Sequence, residues 1–440
     1  MQQHRAILKL GAPIAIGQLG TIVLTFADTM MVGRYGTPEL AAASFVNSVF
    51  NLVTMIILGY SYGLTPTIAH HVGRGEHALA GEALRCGVRA NFYFGSALLA
   101  VFGLLYFALD HLGQPPELLP LIRPYYLVVW ASMWWVVVFS VVRQFADATG
   151  RTQLAMWLLL GGNVVNIVGN ALLIFGLGPF SEWGLLGAGV ATLVSRVLVA
   201  LALVGIVGWH PSFAPYRRRA AQALVSVRAI HRQSWPVAAQ LGLETSAFTF
   251  SGVMAGWIGA IPLAAYQVLI ALGTLGFTLY YSFASSMSIR MSHFLGQHDL
   301  PSVNAAARAG RNILLGNALV SSLVFWLGGA SLLSLFTPDP AVVALAAALL
   351  PLLVLYQFAD AMQICYANAL RAVGNVRPMM WIALVAYLGV GIPAGYLLAF
   401  TFGFALHGLY FAFTLCLFVA ACLFYRYFRQ TVGKMADGVG

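Results

Sequence analysis

The sequence predicts an all-α polytopic membrane protein, with twelve transmembrane helices in two six-helix lobes related by a pseudo-two-fold axis along the membrane normal. Three observations predict it. Hydrophobic residues make up 60% of the 440 positions and charged residues only 8%, where soluble chains carry about 25% charged residues. Apolar runs of about twenty residues, the length that spans a bilayer, recur twelve times. The chain also repeats itself at a nearly constant offset.

The runs lie at about 8–33, 45–68, 87–109, 121–145, 154–176, 184–208, 234–259, 263–287, 311–331, 344–370, 378–401 and 404–427, each near the roughly 20-residue spanning length. The first follows a basic start, MQQHRAILK, and stays apolar to Val32. That is too long for a secretory leader, so it reads as a retained span. Residues 209–232, WHPSFAPYRRRAAQALVSVRAIHR, form the longest connection. It is basic, holds two prolines and sits mid-chain. Residues 216–231 within it could form an amphipathic surface helix.

A shift of 223 carries Pro13 onto Pro236, Met31 onto Met254, Gly33 onto Gly256, Gly36 onto Gly259, His70 onto His293, Arg85 onto Arg308 and Gly87 onto Gly310. A shift of 224 carries Gly150 onto Gly374, Met156 onto Met380 and Trp157 onto Trp381. Each copy holds six spans. Six is even, so both copies enter from the same side and the axis relating them lies along the membrane normal. The expected divisions are an N-terminal lobe 1–208, a cytoplasmic linker 209–232 and a C-terminal lobe 233–440, with a cavity between the lobes.

The basic residues set the topology. Of 23 lysines and arginines, only Arg34 and Arg123 fall on the side opposite the termini, and Arg196 lies within the sixth span. Both termini are therefore expected in the cytoplasm, and the protein in the inner membrane. The formal charge of +10 is then topological and calls for no nucleic acid. Cys86, Cys365, Cys416 and Cys422 show no CxxC spacing, so neither a disulfide framework nor a zinc site is expected. The only lysines, Lys9 and Lys434, lie in no GxxxxGK[ST] segment, which leaves no nucleotide-binding loop. Gly59–Gly63 fits GxSxG, but inside a span it lacks the strand–turn–helix setting of a hydrolase. His70, His71, Glu76 and His77 read as a solvated loop before a metal site.

Ten of the thirteen acids fall in loops or tails. Asp28, Glu244 and Asp360 fall within spans 1, 7 and 10. Glu244 lies nine residues past Trp235, or about 13 Å at helical rise, near mid-membrane. A charge at that depth costs about 2.5 kcal/mol or more, which makes function the default reading. Each acid belongs to a polar stripe at helical spacing: Gln18, Thr21, Thr25, Asp28; then Gln240, Glu244, Ser251; then Tyr356, Asp360, Gln363, Ala367, Arg371. Span 5 adds Asn163, Asn166 and Asn170 without charge. Lipid satisfies no such stripe, so each faces protein or water. The amides serve equally well as glue between helices. The one arginine placed inside a span, Arg196, cannot neutralise three acids. Their counter-ions are expected to be mobile: Na⁺, H⁺ or a cationic substrate. Oxygen-rich clusters suit hard cations, and Na⁺ is a candidate at Glu244 and Asp360.

The segments FADTMMVGRYG with Asp28, QLGLETSAFTF with Glu244, YQFADAMQ with Asp360 and GRTQLAMWLLLGGNVVNIVGNALLIFGLG resemble the multidrug and toxic compound extrusion (MATE) family, NorM-type branch. The likeness covers nearly the whole chain. It implies a second-lobe cation site at Glu244 and Asp360 with Tyr356 beside them. It also implies a first-lobe cation or proton site at Asp28, Asn166, Asn170 and Thr192. Some family members carry an aspartate where Asn170 stands, so Asp28 is the only formal charge of that site. Gln18, Gln240, Met31, Phe248 and Gln363 are candidates for the wall of the substrate cavity.

The function expected from this resemblance is cation-coupled export, driven by Na⁺ or H⁺, of cationic and amphipathic small-molecule drugs, by alternating access. The expected protein is a monomer in membrane lipid, without cofactor, nucleotide or nucleic acid. It is not an enzyme: an intramembrane enzyme would need a nucleophile–base pair or HExxH within a span, and none is found. A lipid-linked saccharide flippase of the same superfamily would show extra spans or a basic cavity. A passive channel fits the duplicated lobes poorly.

Overall fold

The computed structural model describes residues 2–179, 181–220 and 224–437. Among them there is no strand, and twelve long helices follow one another. They are α1 Gln2–Tyr35, α2 Thr37–Tyr62, α3 His77–Leu105, α4 Leu119–Ala148, α5 Thr152–Ile174 and α6 Gly184–Trp209. Then come α7 Val227–Ile258, α8 Ala260–Gly296, α9 Leu300–Leu333, α10 Leu350–Ala372, α11 Arg377–Thr401 and α12 Ala405–Asp437. Eleven helical segments among the described residues are long and apolar enough to cross a membrane. The twelfth, α7, has the length but is diluted by Gln240, Glu244, Thr245, Ser246 and Thr249 in its middle. Trp157, Trp209, Trp257, Trp326 and Trp381 all lie exposed. Water would penalise so large an apolar exterior, and lipid would not.

The helices form two compact units. One runs Ile16–Ala238, and the other joins the chain up to Ala15 to the chain from Ala239 onward. The division thus cuts α1 and α7 just past Pro13 and Pro236, the prolines that the repeat superposes. In the first unit α4 packs against α2, α3 and α6, around a core that includes Phe50, Tyr126 and Val129. In the second, α10 packs against α8, α9 and α12, around Leu269, Leu353, Tyr387 and Leu409. The first turns of α1 belong here: Ser286 donates to the Ile7 carbonyl at 2.8 Å, and Arg290 to Gln3 Oε1 at 3.0 Å.

The repeat is visible in the backbone. Gly150 and Gly374, matched by the 224 shift, both end a helix in the left-handed region, with φ of 82° and 77°. Glycine reaches that region without a Cβ penalty. At the 223 shift, a Cβ on Gly87 would meet Leu64 at 2.5 Å and one on Gly310 would meet Met287 at 2.2 Å. Leu64 and Met287 are themselves repeat partners, so the same helix crossing is built twice. The units differ in α11, which passes through two π-helical stretches, Leu384–Gly391 and Leu397–Thr401, around the short turn Ile392–Tyr396. Gly389, Gly391 and Pro393 weaken the α-helical ladder there: glycine is loose, and Pro393 has no N–H to donate.

Two expectations are corrected. No helix covers 216–231. A single turn, Ala214–Arg217, is followed by extended backbone at Arg218, and helix resumes only at Val227; residues 221–223 lie outside the described ones. Pro211 and Pro215 shape the segment, and Arg151 clamps it, donating to the Ser212 carbonyl at 2.7 Å with its guanidinium 4.2 Å above the Phe213 ring. Second, Arg196 is not alone among the cations of the helix interiors. Arg143 and Arg371 are buried in α4 and α10, and Asp147, placed in a loop by the sequence, is buried beside Arg143 at 3.5 Å. Helices longer than the minimal span carry these residues into the packed bundle.

Candidate functional site

In the second unit α7, α10, α11 and α12 bring polar side chains into one buried group. Glu244 Oε2 accepts from Gln240 Nε2 at 3.0 Å, one turn away, and from Gln363 Nε2 of α10 at 3.4 Å. Gln363 also donates to the Tyr387 hydroxyl at 2.8 Å, and the first π-helical stretch of α11 sets that hydroxyl against Glu244 as well. One turn before Gln363, Asp360 is fully buried, and neither of its oxygens has a hydrogen-bond partner among the described residues. Glu244 Oε1, Gln363 Oε1 and the Tyr410 hydroxyl are also buried and unsatisfied. Tyr356 is 2% exposed and stacks on Phe413 at 5.7 Å, within electrostatic range of both acids.

An unpaired polar atom buried in protein costs about 1–3 kcal/mol, more when charged. Five such oxygens in one place need a reason. All are hard donors (carboxylate, amide, phenol), the set that suits an alkali cation or a proton. The group therefore fits a bound cation chemically.

The first unit holds a different arrangement. Asn170 Nδ2 donates to Asp28 Oδ1 at 2.5 Å. The Asn166 amide, turned over, donates to Asp28 at 2.8 Å and takes the Thr192 hydroxyl at 3.1 Å. Arg196, one turn beyond Thr192, donates to Ser132 at 2.6 Å and acts electrostatically on Asp28. Asp28 is thus half-buried, with amide donors and a nearby guanidinium, while Asp360 has neither.

The structure brings Asp28, Asn166, Asn170 and Thr192 together in one cluster, and Glu244, Asp360, Tyr356, Gln240 and Gln363 in the other. Met31 packs on the apolar core of the first unit, and Phe248 lies edge-on to Phe413 at 4.2 Å. Gln18 stays half-buried on α1. Thr21 and Thr25 donate to backbone carbonyls four residues back, so part of the first stripe is spent locally. Tyr387 and Tyr410 were not singled out by the sequence, since each sits in an otherwise apolar run. The one available signal is that the 224 shift places Tyr387 on Asn163.

The other motifs resolve into ordinary structure. Ser61 is buried in α2 and donates to Asn91 at 2.7 Å. His71 and Arg74 pair with Glu76 at 2.8 and 2.9 Å. The His71 hydrogen bond, with the Arg74 charge, holds Glu76 below the ordinary carboxylate range.

Removing the Tyr410 hydroxyl separates cation binding from folding. Among the described residues it has no partner to lose, so Tyr410→Phe leaves thermal stability within about 0.5 kcal/mol or raises it. If the hydroxyl is a cation ligand, the same change raises the half-saturating cation concentration of transport several-fold. Melting curves and cation titrations of transport read the two effects.

The fold and these clusters define a multi-pass membrane transporter built by duplication. The MatE family's sequence model matches residues 13–172 and again 236–397, one match in each half, and the chain belongs to the MatE family. Multidrug resistance protein PmpM of Pseudomonas aeruginosa is 29% identical over 90% of this chain and 84% of its own. Multidrug resistance protein NorM of Burkholderia vietnamiensis is 27% identical over 97% of this chain and 94% of its own. The eukaryotic MATE transporter AtDTX14 shares the fold with a TM-score of 0.89 at 20% identity, over 100% of this chain and 99% of that one. A MATE crystal structure in the bent conformation gives 0.89 at 18%, over 100% and 97%.

Proposed function

We propose that this protein is an antiporter that exports cationic and amphipathic drugs by alternating access, driven by inward movement of Na⁺ or H⁺. It works as a monomer in the inner membrane with both termini in the cytoplasm. The observation that carries this reading is Asp360, a carboxylate with no hydrogen-bond partner among the described residues, fully buried beside the half-satisfied Glu244. Burying such a charge is tolerable only if a cation or proton joins it during the working cycle. Glu244 and Asp360 are the coupling pair, with Tyr356, Tyr387, Tyr410 and Gln363 as neighbouring oxygen donors. Asp28, with Asn166, Asn170 and Thr192, is a second cation or proton site. The names of the curated relatives support drug substrates.

Antiport follows from competition. A coupling cation on the acids and a cationic drug near them disfavour each other, so each promotes the state in which the other leaves. The test uses everted membrane vesicles, in which export appears as uptake of a fluorescent organic cation, ethidium. Na⁺ and H⁺ gradients are imposed separately. Uptake that follows one or both gradients supports the reading, and uptake indifferent to both removes it.

A further inference from the structure

The first-unit cluster carries a cation of its own. Arg196 stands in the middle of α6, near mid-membrane, where a charged side chain is costly and function is its default explanation. Its guanidinium donates to Ser132 of α4 at 2.6 Å. One turn earlier on α6, the Thr192 hydroxyl meets the Asn166 amide at 3.1 Å, and that amide, turned over, reaches Asp28 at 2.8 Å. Arg196 and Tyr125 of α4 are the titratable side chains in electrostatic range of Asp28 among the described residues. The oxygens that a metal cation needs are also present. Asn170 is 0% exposed, and its Oδ1 has no hydrogen-bond partner among the described residues. Carboxylate, amide and hydroxyl oxygens form a set that suits a hard cation. The second unit offers such a set in a different field: the charge acting on Asp28 is the positive one of Arg196, whereas the charge acting on Asp360 is the negative one of Glu244.

A guanidinium bonded to a neighbouring helix has a structural explanation, as glue between helices. The repeat separates packing from charge. At the 221 shift that superposes Gly187 on Gly408, Arg196 falls on Leu417, which is 0% exposed in the apolar core of the second unit. Its partner Ser132 falls on Tyr356 at the 224 shift, and Asp28 falls on Ser251 at the 223 shift. The second copy therefore packs the same positions with neither charge. Asp28 and Arg196 are present together in one copy and absent together from the other, as befits a single electrostatic unit.

We propose that Arg196 is a specificity-determining residue of the first-unit site, a tethered counter-cation that keeps Na⁺ off the oxygens around Asp28. The inference rests on those oxygens being a cation or proton site. A fixed positive charge near a carboxylate opposes any metal cation that joins it in low dielectric. Na⁺ beside Asp28 and Arg196 leaves a net positive charge, which burial penalises. Na⁺ beside Glu244 and Asp360 instead reduces a net negative one. Na⁺ therefore occupies the second-unit pair at concentrations that leave Asp28 to Arg196 alone.

The test uses the purified full chain carrying Glu244→Gln and Asp360→Asn, which silence the second-unit pair. Melting temperature is read against NaCl at one fixed alkaline pH, with choline chloride holding the ionic strength constant. A ligand of the folded state raises that temperature as it saturates its site. This background is expected to show no Na⁺-specific rise up to about 100 mM. Adding Arg196→Leu should produce one, with a half-saturating concentration at least about ten-fold lower than in the background, and adding Asp28→Asn should then remove it. Arg196→Lys keeps the charge and should stay unresponsive. A purely structural Arg196 would shift the melting temperature equally at every Na⁺ concentration, and that result overturns the proposal. If Arg196→Leu does not fold, Arg196→Gln decides, since it drops the charge and can still reach Ser132. The background gives a test with Arg196 in place: a Na⁺ response there that Asp28→Asn abolishes also overturns the proposal. The two kinds of failure differ. Neutral variants without any Na⁺ response defeat the metal-cation reading of the first-unit oxygens as well. Equal half-saturation with and without Arg196 keeps that reading and defeats only the role given to Arg196.

Discussion

Asp360→Asn abolishes gradient-driven drug export, by about 100-fold or more, while leaving the protein as stable as the wild type or slightly more so. Such a loss corresponds to about 2.8 kcal/mol of cation binding at 1.4 kcal/mol per tenfold. The combination follows from the geometry of this carboxylate. Both its oxygens are buried and accept no hydrogen bond from the described residues, so an isosteric amide breaks no contact. It also relieves the cost of holding a charge in low dielectric. Most substitutions at functional sites leave activity loss and instability entangled; here they run in opposite directions. Glu244→Gln behaves alike in transport, since a glutamine oxygen still accepts the Gln240 amide. If the two acids hold one cation, the double variant loses no more than either single one, and a double-mutant cycle measures this directly. Wild-type export rates in either variant, with ethidium uptake and melting curves taken on the same preparations, would show that the coupling pair lies elsewhere.

The twelve helices and the duplication were legible because both are one-dimensional. Length and apolarity mark a span, and a constant offset marks a copy. The acids were legible for a similar reason, since a charge inside an apolar run stands out wherever its neighbours go. Tyr387 and Tyr410 were not. A tyrosine is at home in apolar sequence, and only the packing of α12 against α10, and of α11 against α12, brings these hydroxyls near the acids. Counting charge by side of the membrane placed Arg371 and Asp147 outside the bundle. Yet Arg371 stands in register with Asp360, Gln363 and Ala367 on one face of α10, a periodicity that carried the right answer. The π-helical stretches of α11 had only Gly389, Gly391 and Pro393 as a sign, and those residues serve many purposes in membrane helices.

Gly187→Leu and Gly408→Leu each eliminate most of the folded protein, and by similar amounts. A Cβ at Gly187 of α6 would stand 2.5 Å from the carbonyl oxygen of Leu173 of α5, and a Cβ at Gly408 of α12 would stand 2.7 Å from the carbonyl carbon of Leu398 of α11. The obstacle is backbone in both cases, so no side chain can swing aside and the helices must separate. Overpacking costs about 1–3 kcal/mol where a core can adjust, and two rigid main chains adjust less. Even Gly187→Ala and Gly408→Ala should lower the melting temperature, by matching steps, because the positions are repeat partners at a shift of 221 and serve one crossing made twice. The functional residues obey no such symmetry. The repeat partner of Glu244 is Thr21, whose hydroxyl is spent on the Gly17 carbonyl, and that of Asp28 is Ser251. Substitutions at the close crossings should therefore come in equivalent pairs, whereas Thr21→Glu should not create a second coupling site, because at the 224 shift Asp360 falls on Val136 of α4 and Tyr387 on Asn163 of α5, which supply neither a second carboxylate nor a phenol. Measuring melting temperatures for the glycine pair beside cation titrations of Thr21→Glu would show whether duplication fixed the scaffold alone, with the Glu244–Asp360 pair acquired by one copy.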